Sequence, residues 1–232
     1  MTNAKPDSRL LSAAAYIRQD AYMADIGTDH AYLPVYLCQS GKIKRALACD
    51  IAKGPCERAK ETILKAGLSD RIRVVMTDGL NGLSEEGLTD IAICGMGGEL
   101  IASIIDAAPF VRTRDIHLVL LPMTKVGYLR DYLAQNGFAI LGETLSSVQN
   151  KVYTCLSVSY TGECYTLTPF QREFGQFAPS EPSPSPYLLV QMEKKLRDLS
   201  HRISGSQAQG KSAEKDIALA EEIKRYLNNE RH

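Results

Sequence analysis

The chain has no tryptophan, no C-x-x-C pair, no surplus of charge and no apolar run long enough to cross a bilayer. Each absence removes a class of protein. Its 27 Lys and Arg offset 27 Asp and Glu, so binding to nucleic acid through bulk charge is excluded, although a basic patch on one face is not. The six cysteines, Cys38, Cys49, Cys56, Cys94, Cys155 and Cys164, are scattered, which argues against a zinc site or disulfide framework and for reduced thiols. A membrane span needs roughly 20 apolar residues, whereas the stretch 10–17 is broken at once by Arg18, Gln19 and Asp20 and reads as an amphipathic helix. The expectation is a cytoplasmic globular protein, monomeric or weakly dimeric, with neither membrane nor metal partner. With 44% hydrophobic residues over 232 positions, it can bury a core without cross-links.

What is present is an alternation of short β-rich runs with helical patterns, the sequence form of an α/β fold with a parallel sheet. Strands are expected at residues 22–27, 45–50, 72–78, 90–94 and 117–121, and helices at 32–39, 55–66, 99–107 and 128–135. Gly41, Gly67 and Gly137 follow three of these helices, as left-handed C-terminal caps. Two further runs, 138–145 and 152–160, are too close for a parallel crossover and must pair antiparallel. The predicted sheet is therefore five parallel strands plus an antiparallel hairpin. A Pro-rich stretch, PSEPSPSP at 179–186, marks a boundary. Beyond it Leu189, Met192, Leu196, Leu199 and Ile203 form one apolar helical stripe, residues 204–210 turn the chain, and Leu219, Ile223, Tyr226 and Leu227 face inward from a second helix. The division is 1–165 as the α/β domain, 166–186 as a linker and 187–232 as an antiparallel helical hairpin.

The first strand ends in Ala24-Asp25-Ile26-Gly27-Thr28-Asp29-His30-Ala31, where an open α/β sheet binds its ligand. A dinucleotide loop would want glycines where Asp29 and Ala31 stand. Two like charges about 4 Å apart repel by roughly 4 kcal/mol at an effective dielectric near 20, so Asp29 opposes a diphosphate and favours a cationic ligand. S-adenosylmethionine, which carries a sulfonium, an ammonium and no phosphate, fits. Asp50, with Ile51 beside it, stands at the second strand tip where an acid can hold ribose hydroxyls. Asp78-Gly79 at the third tip is placed to accept from an adenine amino group, with Met76 or Leu80 against the ring. Alternatives remain for each acid: Asp29 as a helix cap, Asp50 and Asp78 as turn residues. The fourth strand ends in Cys94-Gly95-Met96-Gly97-Gly98. No D/N-P-P-Y/F motif for methylating exocyclic amines follows it. Three glycines in four positions instead suggest a backbone platform for a flat substrate, with a tight turn as the alternative.

Together these strings resemble the bacterial tRNA (adenine(22)-N1)-methyltransferase family. The similarity rests on Ser8-Arg9-Leu10, on Asp25-Ile26-Gly27-Thr28-Asp29-His30-Ala31-Tyr32-Leu33-Pro34, on Gly95-Met96-Gly97-Gly98, on Pro122-Met123-Thr124 and on Lys151-Val152-Tyr153. Leu121 stands where that family often has a glutamine. The resemblance implies a class I methyltransferase with a Rossmann-like sheet, S-adenosyl-L-methionine as cofactor and tRNA as partner. The positive charge that develops on the methylated nitrogen makes Asp29, with His30 beside it, the catalytic candidates, with contact to the cofactor's amino group alone as the alternative for Asp29. Cofactor binding falls to Asp25, Gly27, Asp29, Asp50, Ile51, Asp78, Gly79 and Gly95, and substrate binding to Arg9, Tyr32, Met96, Gly97, Gly98, Pro122 and Lys151. A local basic surface is expected from Arg9, Arg18, Lys53, Lys125, Arg130 and Lys151. The competing readings are a small-metabolite methyltransferase and a non-catalytic adaptor that kept the fold.

Overall fold

Seven strands form one sheet in the order β3-β2-β1-β4-β5-β7-β6. They are β1 (Tyr22–Ile26), β2 (Arg45–Asp50), β3 (Ile72–Met76), β4 (Asp90–Cys94), β5 (His117–Leu121), β6 (Phe138–Val148) and β7 (Lys151–Tyr160) in a computed structural model that describes residues 6–113, 115–175 and 185–229. The first five pair parallel; β7 runs antiparallel between β5 and β6. The strand order reverses between β1 and β4, the place where such sheets open a crevice beyond their carboxyl ends. No helix among the described residues is long and apolar enough to cross a membrane. No cluster of three or more His, Cys, Asp or Glu among them could hold a metal ion.

Side chains of successive strand residues point to opposite faces, and both faces are covered. Ile91, Ile93, Leu118 and Leu120 pack with Ile101, Ile105, Leu129 and Leu133 from α4 (Gly98–Asp106) and α5 (Val126–Gln135). The alternate residues Ala92 and Val119 join Ala13, Leu33, Leu37, Ala59 and Ile63 from α1 (Ser8–Tyr16), α2 (Tyr32–Gln39) and α3 (Lys53–Lys65). Gly41, Gly67 and Gly137 end α2, α3 and α5 at φ +75°, +68° and +76°, conformations that glycine adopts without the penalty of a Cβ. The hairpin strands are longer than the sequence reading. Gln149 and Asn150, at φ +49° and +61°, form a two-residue turn whose twist matches the strands, so pairing continues to Val148 opposite Lys151.

A buried polar chain ties the amino ends of the strands. Asp90 meets Nδ1 of His117 at 3.3 Å, and Nε2 of His117 meets Ser157 Oγ at 2.8 Å. The order Ser, His, Asp is that of a hydrolase, but all three are buried and the carboxylate also accepts from the backbone N–H and guanidinium of Arg18. Those hydrogen bonds outweigh burial and lower the Asp90 pKa. The chain therefore acts as a pin joining the segment that follows α1 to β4, β5 and β7. This corrects the placement of Arg18 in a basic surface: it serves the opposite end of the sheet from the crevice. Arg130 is corrected likewise, being buried in a multiply hydrogen-bonded pair with Glu143 of β6.

The chain divides into two compact units, Met1–Thr166 and Leu167–His232. In the second, α6 (Pro169–Phe174), α7 (Pro186–Ala208) and α8 (Glu214–Asn229) pack together. Leu188, Met192, Leu199, Leu219, Ile223 and Leu227 are buried. The stretch read as a linker thus contains a helix, α6, with a capping box in which Thr168 and Gln171 satisfy each other's backbone N–H groups; residues 176–184 of it lie outside the described residues. The stretch read as a turn is also corrected. Helix α7 continues through Ser204, Gly205 and Ser206 to Ala208, and the chain leaves it only at Gly210, at φ +64°, where glycine adopts the left-handed conformation without the penalty of a Cβ.

Candidate active site

Asp25 is the fourth residue of β1, in register with Ala48 and Ala92 on the neighbouring strands. Those small neighbours leave room for its side chain on the α1–α3 face, where it is 4% exposed. Burial pushes its carboxyl up to about 6, against the hydrogen bond that Thr28 Oγ1 donates at 2.7 Å, with the charge of Asp50 adding to the rise. After Gly27 (φ +73°) the chain takes two left-handed non-glycine residues, Asp29 at +47° and Ala31 at +56°. Each costs about 1–3 kcal/mol. The turn is held by Thr28 O accepting from Ala31 N–H at 3.0 Å, by Asp50 accepting from Asp29 N–H at 3.4 Å, and by stacking of His30 on Tyr32 with ring centroids 5.0 Å apart. Ala31, not Asp29, occupies the cap position of α2, which removes the capping alternative for Asp29.

These groups open onto a cavity of about 370 Å³, within the usual range for a small-molecule site of roughly 300–1,000 Å³. Asp25, Gly27, Asp29, His30, Tyr32, Gly95 and Arg9 line it, as do Asp7, Leu10, Thr28, Leu33, Cys94 and Leu121. Asp7 caps α1, accepting from the backbone N–H groups of Arg9 and Leu10, and pairs with the Arg9 guanidinium at 2.5 Å. Arg9 also reaches Met123 Sδ at 3.6 Å and lies 5.0 Å from the Tyr153 ring centre. It thereby spans from α1 to the β5–α5 loop and to β7. Burial pushes the Cys94 thiol well above its ordinary range.

The other expected residues are distributed differently. Asp50 folds back on its own loop, accepting from Ala52 N–H at 3.0 Å as well as from Asp29. Ile51 and Met76 are 64% and 66% exposed at the tips of β2 and β3, while Leu80 is buried in the core, so only Met76 of the two ring-facing candidates is free to meet a ligand. Asp78 is exposed beside Gly79 (φ +56°). Pro122 is buried and Lys151 is exposed at the hairpin turn. Lys53 and Lys125 are exposed and paired with Glu57 and Glu99.

The glycine platform is corrected. Gly98 N–H donates to Thr124 O at 2.9 Å, Gly97 bridges to Thr124, and Met96 O accepts from Met123 N–H at 2.8 Å. The backbone N–H of Gly98 is spent on the β5–α5 loop. A Cβ at Gly98 would lie 2.5 Å from Lys125 O, and one at Gly27 would lie 2.4 Å from Met96 Cε. These glycines serve close approach of backbone and side chain inside the protein. We expect Gly98→Ala to destabilise the first unit by about 1–3 kcal/mol, measured by urea unfolding; an unchanged midpoint would show that the two loops part without cost.

Sequence reasoning missed Arg58. From α3 its Nε and Nη2 both donate to Asp29 Oδ1, the Nε contact at 3.2 Å, while Asp29 Oδ2 lies 3.6 Å from His30 Nε2. Asp29 is therefore not a lone carboxylate, and its repulsion of a phosphate is weaker than the sequence suggests. The buried Asp25 and the nearby Asp50 keep the crevice anionic. No local pattern links positions 29 and 58, and only the packing of α3 beside the β1 loop brings them together.

Residues 7–156 match the methyltransferase domain family. The tRNA (adenine(22)-N(1))-methyltransferase of Bacillus subtilis (strain 168) is 37% identical over 156 residues, 67% of this chain and 66% of that protein; the match thus spans about two thirds of that relative's length. Among solved structures, the B. subtilis M1A22 tRNA methyltransferase TrmK covers 97% of both chains with TM-score 0.79 and 28% identity. Sp1610 of Streptococcus pneumoniae, described as a candidate tRNA (m1A22) methyltransferase and solved with S-adenosyl-L-methionine, covers 94% of this chain and 98% of its own, with TM-score 0.81 and 29% identity.

Proposed function

Because the chain belongs to the methyltransferase domain family, we propose that it transfers a methyl group from S-adenosylmethionine to N1 of the adenine at position 22 of tRNA, in the cytoplasm. The observation that carries this reading is the cavity at the β1/β4 reversal, with a buried carboxyl at Asp25 and a second carboxylate at Asp29 on its wall. The donor set suits a cation and offers no glycine-rich cradle for a diphosphate. When bound, S-adenosylmethionine supplies an electrophilic methyl group on a positively charged sulfur.

The chain's own residues then have distinct tasks. Asp25 and the Gly27 and Gly95 backbone hold the amino-acid end of the cofactor, Asp50 accepts from ribose hydroxyls, and Ile51, Asp78 and Gly79 border the adenine. N1 lies on the pairing edge of the base, so the target adenine must leave its stack before it can be reached. Tyr32, Met96 and Pro122 shape the acceptor side, and Arg9 and Lys151 offer cations to the RNA backbone. As N1 gains charge, the Asp29 carboxylate stabilises it or accepts a proton from N6, with His30 orienting that carboxylate. No metal is needed. Residues 1–165 carry the chemistry and the hairpin of 187–232 meets tRNA, in a monomer or weak dimer.

Labelled methyl groups should pass into unmodified tRNA and not into free adenosine; transfer to small acceptors alone would favour a metabolite enzyme, and cofactor binding without any transfer an adaptor. Asp29→Asn is expected to lower kcat by about 100-fold at saturating cofactor. If it raises only the cofactor KM, Asp29 binds the cofactor and takes no part in the chemistry.

A further inference from the structure

The pair between Arg58 and Asp29 has features that a simple surface ion pair lacks. Both side chains are about half exposed, 46% and 56%, a setting in which ion pairs add little to folding stability. Yet the guanidinium grips one carboxylate oxygen through two nitrogens, and it does so at a residue whose backbone is left-handed, two positions before a second left-handed residue. Oδ1 is thereby occupied on the α3 side. Oδ2 is left toward His30 Nε2, whose ring stacks on Tyr32 at the cavity wall.

We propose that Arg58 is a positioning residue for the reaction: it holds Oδ1 of Asp29 so that the strained 29–31 turn presents Oδ2 and the His30 ring to the cavity. This rests on the reading of that cavity as the cofactor and acceptor site. Without Arg58 the turn would still close through Ala31 N–H and Thr28 O, but the carboxylate would be free to rotate toward solvent. The fork geometry matters, because a lysine offers one nitrogen where arginine offers two in a fixed plane. The role is to orient a group, not to neutralise it, and this distinguishes the proposal from a plain charge effect.

The test compares Arg58→Gln, Arg58→Lys, Asp29→Asn and the double variant Arg58→Gln/Asp29→Asn in the full chain. Three quantities are read: S-adenosylmethionine Kd by calorimetry, methyl transfer to unmodified tRNA, and Tm. Arg58→Gln should weaken cofactor binding or kcat/KM by about tenfold with Tm almost unchanged. Arg58→Lys should recover only part of that loss. In the Asp29→Asn background, Arg58→Gln should cause little further loss, since the carboxylate that Arg58 orients is already gone. Full function in Arg58→Gln, full rescue by lysine, or losses that simply add in the double variant would overturn the proposal. Should the wild-type chain bind cofactor but methylate no tRNA, the functional reading fails, while the Kd comparison still decides the role of Arg58.

Discussion

Arg130→Ala is expected to destabilise the first unit by about 3–5 kcal/mol, because it leaves the Glu143 carboxylate buried without its cation. The two side chains are 1% and 4% exposed, with Nη2 at 2.6 Å and Nε at 3.2 Å from Oε2. Removing both charges together, as Arg130→Met with Glu143→Leu, should recover most of the loss, since apolar side chains of similar volume avoid the desolvation cost. Urea unfolding followed at two wavelengths would check both variants. A loss below about 1 kcal/mol for Arg130→Ala would mean that water reaches Glu143, and that the pair behaves like one at the surface.

Asp25→Asn should have two effects of opposite sign. The amide can still accept from Thr28 Oγ1, but it cannot attract a cation, so S-adenosylmethionine should bind about 100-fold more weakly. Stability of the ligand-free chain should rise. The carboxyl has its pKa raised from 3.8 to about 6 in the folded state by burial, so the folded chain binds the proton more tightly than the unfolded one. The penalty for ionising Asp25 is absent below about pH 4, grows between about pH 4 and 6, and levels off near about 3 kcal/mol above that. Asp25→Asn should therefore raise urea resistance at pH 8 and change it little at pH 4. The same titration predicts that cofactor affinity in the wild type falls as pH drops below about 6. An Asp25→Asn chain no more stable at pH 8 than the wild type, or a pH-independent affinity, would contradict this assignment.

The fold was legible wherever a local pattern and the tertiary environment agreed. Strands β2, β4 and β5 and helix α2 begin and end where the apolar runs do, because the strands are covered on both faces, most of α2 is buried, and turn residues bound each of them. Helix α3 starts earlier, at Lys53, since a proline is tolerated within the first helical turn. Strand β6 was cut short because Ser146 and Ser147 look like loop residues, and only the pairing with Val152 and Tyr153 shows that they alternate in a ladder. The site divides in the same way. The D-I-G-T-D-H string marks the cavity correctly because those residues are contiguous and lie at a strand tip. Arg58, the contribution of Asp7 through the landing of α1, and the burial of Arg130 all depend on contacts between distant segments. Gly97 and Gly98 were recognised as positions that exclude a side chain, but the excluded space is filled by the β5–α5 loop, not by a ligand.

The most direct test of the proposed activity is to incubate the full chain with S-adenosylmethionine and unmodified tRNA bearing an adenine at position 22, and to map the methylated nucleotide by nuclease digestion and mass spectrometry. One N1-methyladenine is expected, at position 22, and none when guanine replaces that adenine. Methylation at another position or another ring atom, or none despite demonstrated cofactor binding, would contradict it.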